Sequence, residues 1–99
     1  MFFATHRSFK EKYRIFGKKT KRDRFEIFAA ILELCKTPTL RTHIIYKTAL
    51  SYNVTMNSLG YLIKLQMLRL GKNRKKYETT EKGLDYLNKY YELQEFLKS

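Results

Sequence analysis

A chain of 99 residues with 43% apolar and 15% aromatic side chains has room for one domain with a modest core. Its net charge of +12 makes polyanions the natural partners: nucleic acid first, then anionic membranes or acidic proteins. No apolar run is long enough to span a bilayer, and the single Cys35 excludes an internal disulfide and fits a reducing, cytoplasmic setting. No His/Cys cluster has metal-ligand spacing. Paired carboxylates in apolar segments, a nucleophile–base constellation and a phosphate-cradling glycine loop are all missing, so no metal, cofactor or enzyme activity is expected.

The placing of the charge says more than its sum. The acids Glu11, Asp23, Glu26 and Glu33 are followed by none until Glu78, while the 44 residues from Leu34 to Tyr77 hold nine Lys or Arg. From Glu78 onward there are three Lys and five acids. A surface shaped only for solubility mixes its signs. An acid-free middle third therefore points to a phosphate-facing surface.

Residues 1–22 form a basic arm with eight Lys or Arg against one Glu. Ser8 and Glu11 have capping-box spacing, and Phe9, Tyr13 and Phe16 share one helical face, which predicts a short helix over 9–16. The alternatives are a solvated tail and a helix docked on the core or on a partner by its aromatic face. The start MFF, followed by His6, Arg7 and Lys10, lacks the long apolar core of a secretory signal. Glu11 and the lack of Ser/Ala enrichment argue against an organelle transit peptide.

Asp23 and Glu26 mark the start of a helix over 24–36, whose wide stripe of Phe25, Ile27, Phe28, Ile31, Leu32, Leu34 and Cys35 predicts deep burial. Cys35 belongs to that packing. Thr37-Pro38 ends the helix. A second helix runs from Thr39 or Arg41 to Leu50, with Leu40, Ile44, Ile45 and Ala49 inward and His43 on the surface. A third follows over 54–66 with Asn53 as its cap. Its expected inner side is Met56, Leu59, Gly60, Ile63 and Met67, with Gly60 permitting close approach of another element. Its outer side is Val54, Asn57, Ser58, Tyr61, Lys64 and Leu65. That outer chemistry suits a DNA groove, since Asn can read adenine edges and Ser, Tyr and Lys can hold phosphates or bases. An ordinary solvated face would carry more charge.

Leu68 and Leu70 alternate with Arg69, and Tyr77 and Thr79 with Lys76 and Glu78, the pattern of a half-buried hairpin with the basic tip GKNRKK. Thr80 caps a last helix over 81–97, and Glu81 suits the positive end of its dipole. Its apolar residues exceed the needs of one small core. This predicts a two-fold partner helix contacting Leu87, Tyr90, Tyr91, Gln94 and Leu97. The alternative is a helix lying wholly across its own domain.

The order helix, helix, turn, helix, hairpin, helix is joined by two motifs. The block Thr42 to Tyr52, THIIYKTALSY, is similar to the second-helix-and-turn motif of small archaeal winged-helix DNA-binding proteins. The block Tyr77 to Leu87, YETTEKGLDYL, resembles their post-wing motif of Thr-Glu-Lys-Gly, an aromatic residue and Leu. The likeness covers Arg22 to about Leu93. It extends to ten-a-type chromatin-associated proteins, which dimerise through a C-terminal antiparallel coiled coil, and to archaeal winged-helix regulators.

The resemblance implies a mainly α winged helix-turn-helix fold with a two-stranded wing, in a domain over 23–99. It implies a nucleoid-associated regulator or architectural protein, with the third helix in the major groove and wing 71–76 on phosphates or an adjacent minor groove. The expected DNA contacts are Arg41, Thr42, His43, Lys47, Asn57, Ser58, Tyr61, Lys64, Lys72, Asn73, Arg74 and Lys75. A different class of reading is a winged-helix module that docks on protein or RNA within a larger transcription, replication or ribosomal assembly.

Overall fold

The computed structural model describes residues 23–98. The arm and its expected helix at 9–16 lie outside these residues. Four helices and three short strands follow one another: α1 (Arg24–Leu34), β1 (Thr39–Leu40), α2 (Arg41–Thr48), α3 (Tyr52–Lys64), β2 (Leu68–Leu70), β3 (Lys76–Thr79) and α4 (Glu81–Lys98). The strands form an antiparallel sheet in the order β1-β3-β2. The expected two-stranded wing thus has a third strand. β1 pairs Thr39 with Tyr77 and Leu40 with Lys76, which puts the start of α2 beside the wing.

The core is Phe28, Ala29, Ile31, Leu32 and Cys35 from α1 and its end, Ile44 from α2, Leu59 and Leu62 from α3, Leu68 from β2 and Leu87 from α4. Burial pushes the Cys35 thiol up to about 12, which leaves it an inert packing group. Asp23 caps α1 as expected, its carboxylate accepting from the Glu26 N–H at 2.8 Å. Phe25 departs from expectation. It is 59% exposed, because α1 buries a narrower stripe than its composition allows. Leu40 and Ala49 are exposed too: Leu40 sits in β1, and Ala49 leaves α2 in the left-handed region at φ 59°.

The phase of α3 also differs. Its cap is Ser51, which accepts from the Val54 N–H at 3.1 Å, so the helix begins two residues earlier than expected. The inward residues are Thr55, Ser58, Leu59 and Leu62. Gly60 and Ile63 face out, and a Cβ added to Gly60 would meet nothing within 4 Å. Two small polar residues are buried and several apolar ones are not. A stripe drawn through the apolar residues is therefore rotated from the true inner face.

The end of α3 and the start of α4 are clasped together. Gln66 takes φ 65°, and the Gln66 and Met67 N–H groups return to the Ile63 and Leu62 carbonyls at 2.9 Å, a Schellman ending without glycine. Three consecutive carbonyls there are then taken by the post-wing motif. Lys82 Nζ donates to Leu65 O at 2.8 Å, Thr80 Oγ1 to Gln66 O at 2.7 Å, and the Thr80 N–H to Met67 O at 3.0 Å. Thr80 Oγ1 also accepts from the Gly83 N–H at 3.2 Å, capping α4. Thr79 ties the same corner to α1, its hydroxyl donating to Leu32 O at 2.7 Å and its N–H to Cys35 O at 2.9 Å.

α4 lies along α1 through its tyrosines. Tyr86 donates to Phe25 O at 2.9 Å and Tyr91 to Glu33 Oε1 at 2.6 Å. The Tyr91 hydrogen bond, helped by Lys36, holds the Glu33 carboxyl below its ordinary value against the opposing effect of burial. A carboxyl with a lowered folded pKa adds stability above its unfolded pKa, and that stability is lost as pH falls through the folded value. Tyr91→Phe is therefore expected to raise the Glu33 pKa and to lower stability modestly at neutral pH. The difference should vanish at acid pH, below the lowered folded value, where Glu33 is protonated in both proteins. NMR titration of Glu33 and urea midpoints at both pH values check this; an unmoved Glu33 pKa would refute it.

Candidate nucleic-acid interface

Pairing of β1 with β3 has an electrostatic result. The first turn of α2 and the wing tip together line a recess of about 240 Å³ formed by Leu40, Arg41, Thr42, Arg74, Lys75 and Tyr77. Leu40 at the cap position offers no side-chain acceptor, and the first turn of α2 has no acid. Its N–H groups and the positive end of the dipole thus add to three cations. The tip is shaped by Arg74 at φ 57°, by the Arg74 N–H donating to Gly71 O at 2.8 Å, and by the Lys75 N–H donating to Asn73 Oδ1 at 3.1 Å.

Ion pairing separates structural cations from the others. Arg69 pairs with Glu78 across the sheet at 3.3 Å, and Lys36 with Glu33 at 3.2 Å. Arg41, Lys47, Lys64, Lys72, Arg74, Lys75 and Lys76 form no ion pair among the described residues, and all are exposed. Arg41, Arg74 and Lys75 share one recess, and like charges gathered there repel unless an anion lies among them.

The outward face of α3 carries Asn53, Asn57, Gly60 and Lys64, with Tyr61 beside them. The Tyr61 ring stacks on Phe28 at 5.5 Å between centroids, and the Arg24 guanidinium lies 5.7 Å from its centroid. The phenol is thus held at a fixed place while 42% exposed. Arg24, Ile27, Phe28, Asn57, Ser58 and Tyr61 line a recess of about 350 Å³ between α1 and α3.

The expected site residues divide on these positions. Arg41, Thr42, Arg74 and Lys75 come together at the α2–wing recess, with Lys72 and Asn73 exposed on the same tip, and His43 is exposed on α2. Asn57, Tyr61 and Lys64 are exposed on α3. Ser58 is only 8% exposed and packs inward, away from the exposed face of α3. Lys47 lies elsewhere, in a groove with Glu26, Glu33, Tyr90 and Tyr91.

Two residues escaped the sequence reading. Asn53, expected as a cap, lies on the exposed face because α3 begins two residues earlier than its apolar pattern implies. Arg24, expected only as the start of a buried helix, reaches Tyr61, and nothing local in the sequence signals that contact.

Of the expected partner contacts on α4, Leu87 is 1% exposed and belongs to its own core. Tyr91 is engaged with Glu33. Tyr90, Gln94 and Leu97 instead line a groove of about 430 Å³ with Phe25, Tyr86 and Leu93. Phe96 stands 74% exposed on the same helix.

Among the described residues no group of three His, Cys, Asp or Glu could hold a metal, and no described helix is long and apolar enough to cross a membrane.

Three packed helices, with α2 and α3 joined by a tight turn and followed by a basic hairpin, define a winged helix-turn-helix protein. The sequence matches that family over residues 21–98, and the chain belongs to it. Among solved structures it is similar to Sso10a-2, a DNA-binding protein from Sulfolobus solfataricus. The two share 31% identity and a TM-score of 0.64, covering 77% of this chain and 85% of that one. A search of the curated proteins finds no match.

Proposed function

We propose that this protein binds duplex DNA as a homodimer and serves as a transcriptional regulator or chromatin-architectural protein of the nucleoid, a binding protein and not an enzyme. The observation that carries this reading is the set of cations in the acid-free tract that form no ion pair among the described residues, of which Arg41, Arg74 and Lys75 line the α2–wing recess. Phosphates would sit on Arg41, Thr42, Lys72, Arg74, Lys75 and Lys64. Asn57 and Tyr61 would face base edges in the major groove. The DNA-binding nature of Sso10a-2 supports the choice of ligand. The groove beside Phe25, Leu93 and Leu97, together with Phe96, supports a second copy as the cover of α4.

Light-scattering mass and duplex titration at two salt concentrations test both parts. The expected result is a dimer mass and a slope of log K against log salt of roughly −5 for about six neutralised phosphates per protomer. A salt-insensitive interaction, or no duplex binding at low salt, sinks the DNA reading. A monomer mass sinks the dimer alone. A marked preference for structured RNA would favour an RNA-interaction module instead.

A further inference from the structure

Gly60 is unexplained by the fold. It occupies the interior of α3, where glycine is less favourable than any residue except proline. No glycine among the described residues has a positive φ, so the backbone at Gly60 accepts any L-residue. A Cβ there would meet nothing within 4 Å, so no neighbour among the described residues needs the space. Gly83 is the contrast: its missing Cβ is filled by a backbone carbonyl and a threonine methyl. At Gly60 the gap opens outward, between Asn57 one turn before and Lys64 one turn after, on a helix without a single acid. Asn53 continues the same line one turn further back. Two amides spaced one turn apart can each pair with the N6 and N7 edge of an adenine. Every adenine so read has a thymine opposite, whose 5-methyl group projects into the same groove.

We infer that Gly60 is the point of closest approach between α3 and DNA, an opening in the helix surface that receives a thymine 5-methyl beside an adenine read by Asn57. This rests on the proposal that α3 lies in the major groove. It makes the protein prefer A·T pairs at the centre of its contact, and the preference is lost when a single methyl fills the opening from the protein side.

The test compares the full-length protein with Gly60→Ala on three short duplexes at low salt: alternating A·T, alternating A·U, which lacks only the 5-methyl groups, and alternating G·C. Gly60→Ala is expected to raise the unfolding midpoint by roughly 5 °C, so weaker binding cannot come from a damaged fold. Wild type should prefer A·T over G·C. The variant should bind A·T about tenfold more weakly than wild type, and the gap should close to within about twofold on A·U. Equal binding of both proteins to A·T overturns the inference, as does an unchanged gap on A·U. If wild type binds none of the duplexes, the DNA reading itself has failed and the inference falls with it.

Discussion

Replacing Gly83 by alanine lowers the unfolding midpoint by roughly 15 °C, corresponding to about 3 kcal/mol of lost stability in a domain of this size. A Cβ at this position would overlap the Met67 carbonyl oxygen and stand 2.6 Å from Thr79 Cγ2. Neither can give way cheaply. Met67 O accepts from the Thr80 N–H, and Thr79 is held to α1 through both its hydroxyl and its N–H. Alanine is the better helix former, so intrinsic propensity predicts the opposite sign. A thermal melt followed by far-UV circular dichroism decides between them, and a midpoint at or above wild type would show that the corner is looser than described. Gly60→Ala, expected to stabilise, is the internal control.

On the proposed DNA reading, changing Lys72, Arg74 and Lys75 together to serine is expected to weaken duplex binding about a hundredfold at moderate salt, if each contact contributes about 1 kcal/mol. The slope of log K against log salt should become shallower by roughly 3, at about 0.9 per lost phosphate. The loss should be equal for all sequences, because phosphate contacts carry no base information. The melt should hardly move, since none of the three is ion-paired among the described residues. Loss confined to one sequence would mean that the tip reads bases. An unchanged salt slope would remove the wing from the interface.

How much could be read from residues alone follows from which forces act locally. The expected alternation fails in β2, where Leu70 is exposed beside Arg69. The Asp23 cap, the stop before Pro38, the two strands of the wing and the start of α4 after Thr80 were all legible, because each depends on neighbours within a few positions. The same holds for the acid-free tract. The third strand was not: Thr39–Leu40 is too short to show a period, and it exists because β3 offers a free edge from far along the chain. The phase of α3 failed for a related reason. Hydrophobicity marks an inner face only when buried residues are apolar, and here Thr55 and Ser58 are buried while Ile63 and Val54 are not. That rotation removes Ser58 from the exposed face of α3 and places Asn53 and Gly60 on it. On α4, Leu87 fits a partner-facing stripe as well as a core stripe; only the packing of α1 against it tells them apart.

The corner where α3 meets α4 has a mechanical consequence. Leu65, Gln66 and Met67 deliver three successive carbonyls to Thr80 and Lys82, and Gly83 closes the gap between the segments. The direction of α4 is therefore tied to that of α3 by hydrogen bonds as well as by packing, as a crank is keyed to its shaft. In the proposed dimer, a second copy held at Leu93, Phe96 and Leu97 would set the angle at which Asn57 and Gly60 meet DNA. Residues inserted into α4 after Tyr91 would rotate Leu93, Phe96 and Leu97 about 100° each while leaving the Tyr86 and Tyr91 hydrogen bonds to α1 in place. Under the proposed dimer, the last two turns of α4 would thus act as a dial for the spacing and tilt of the two α3 helices.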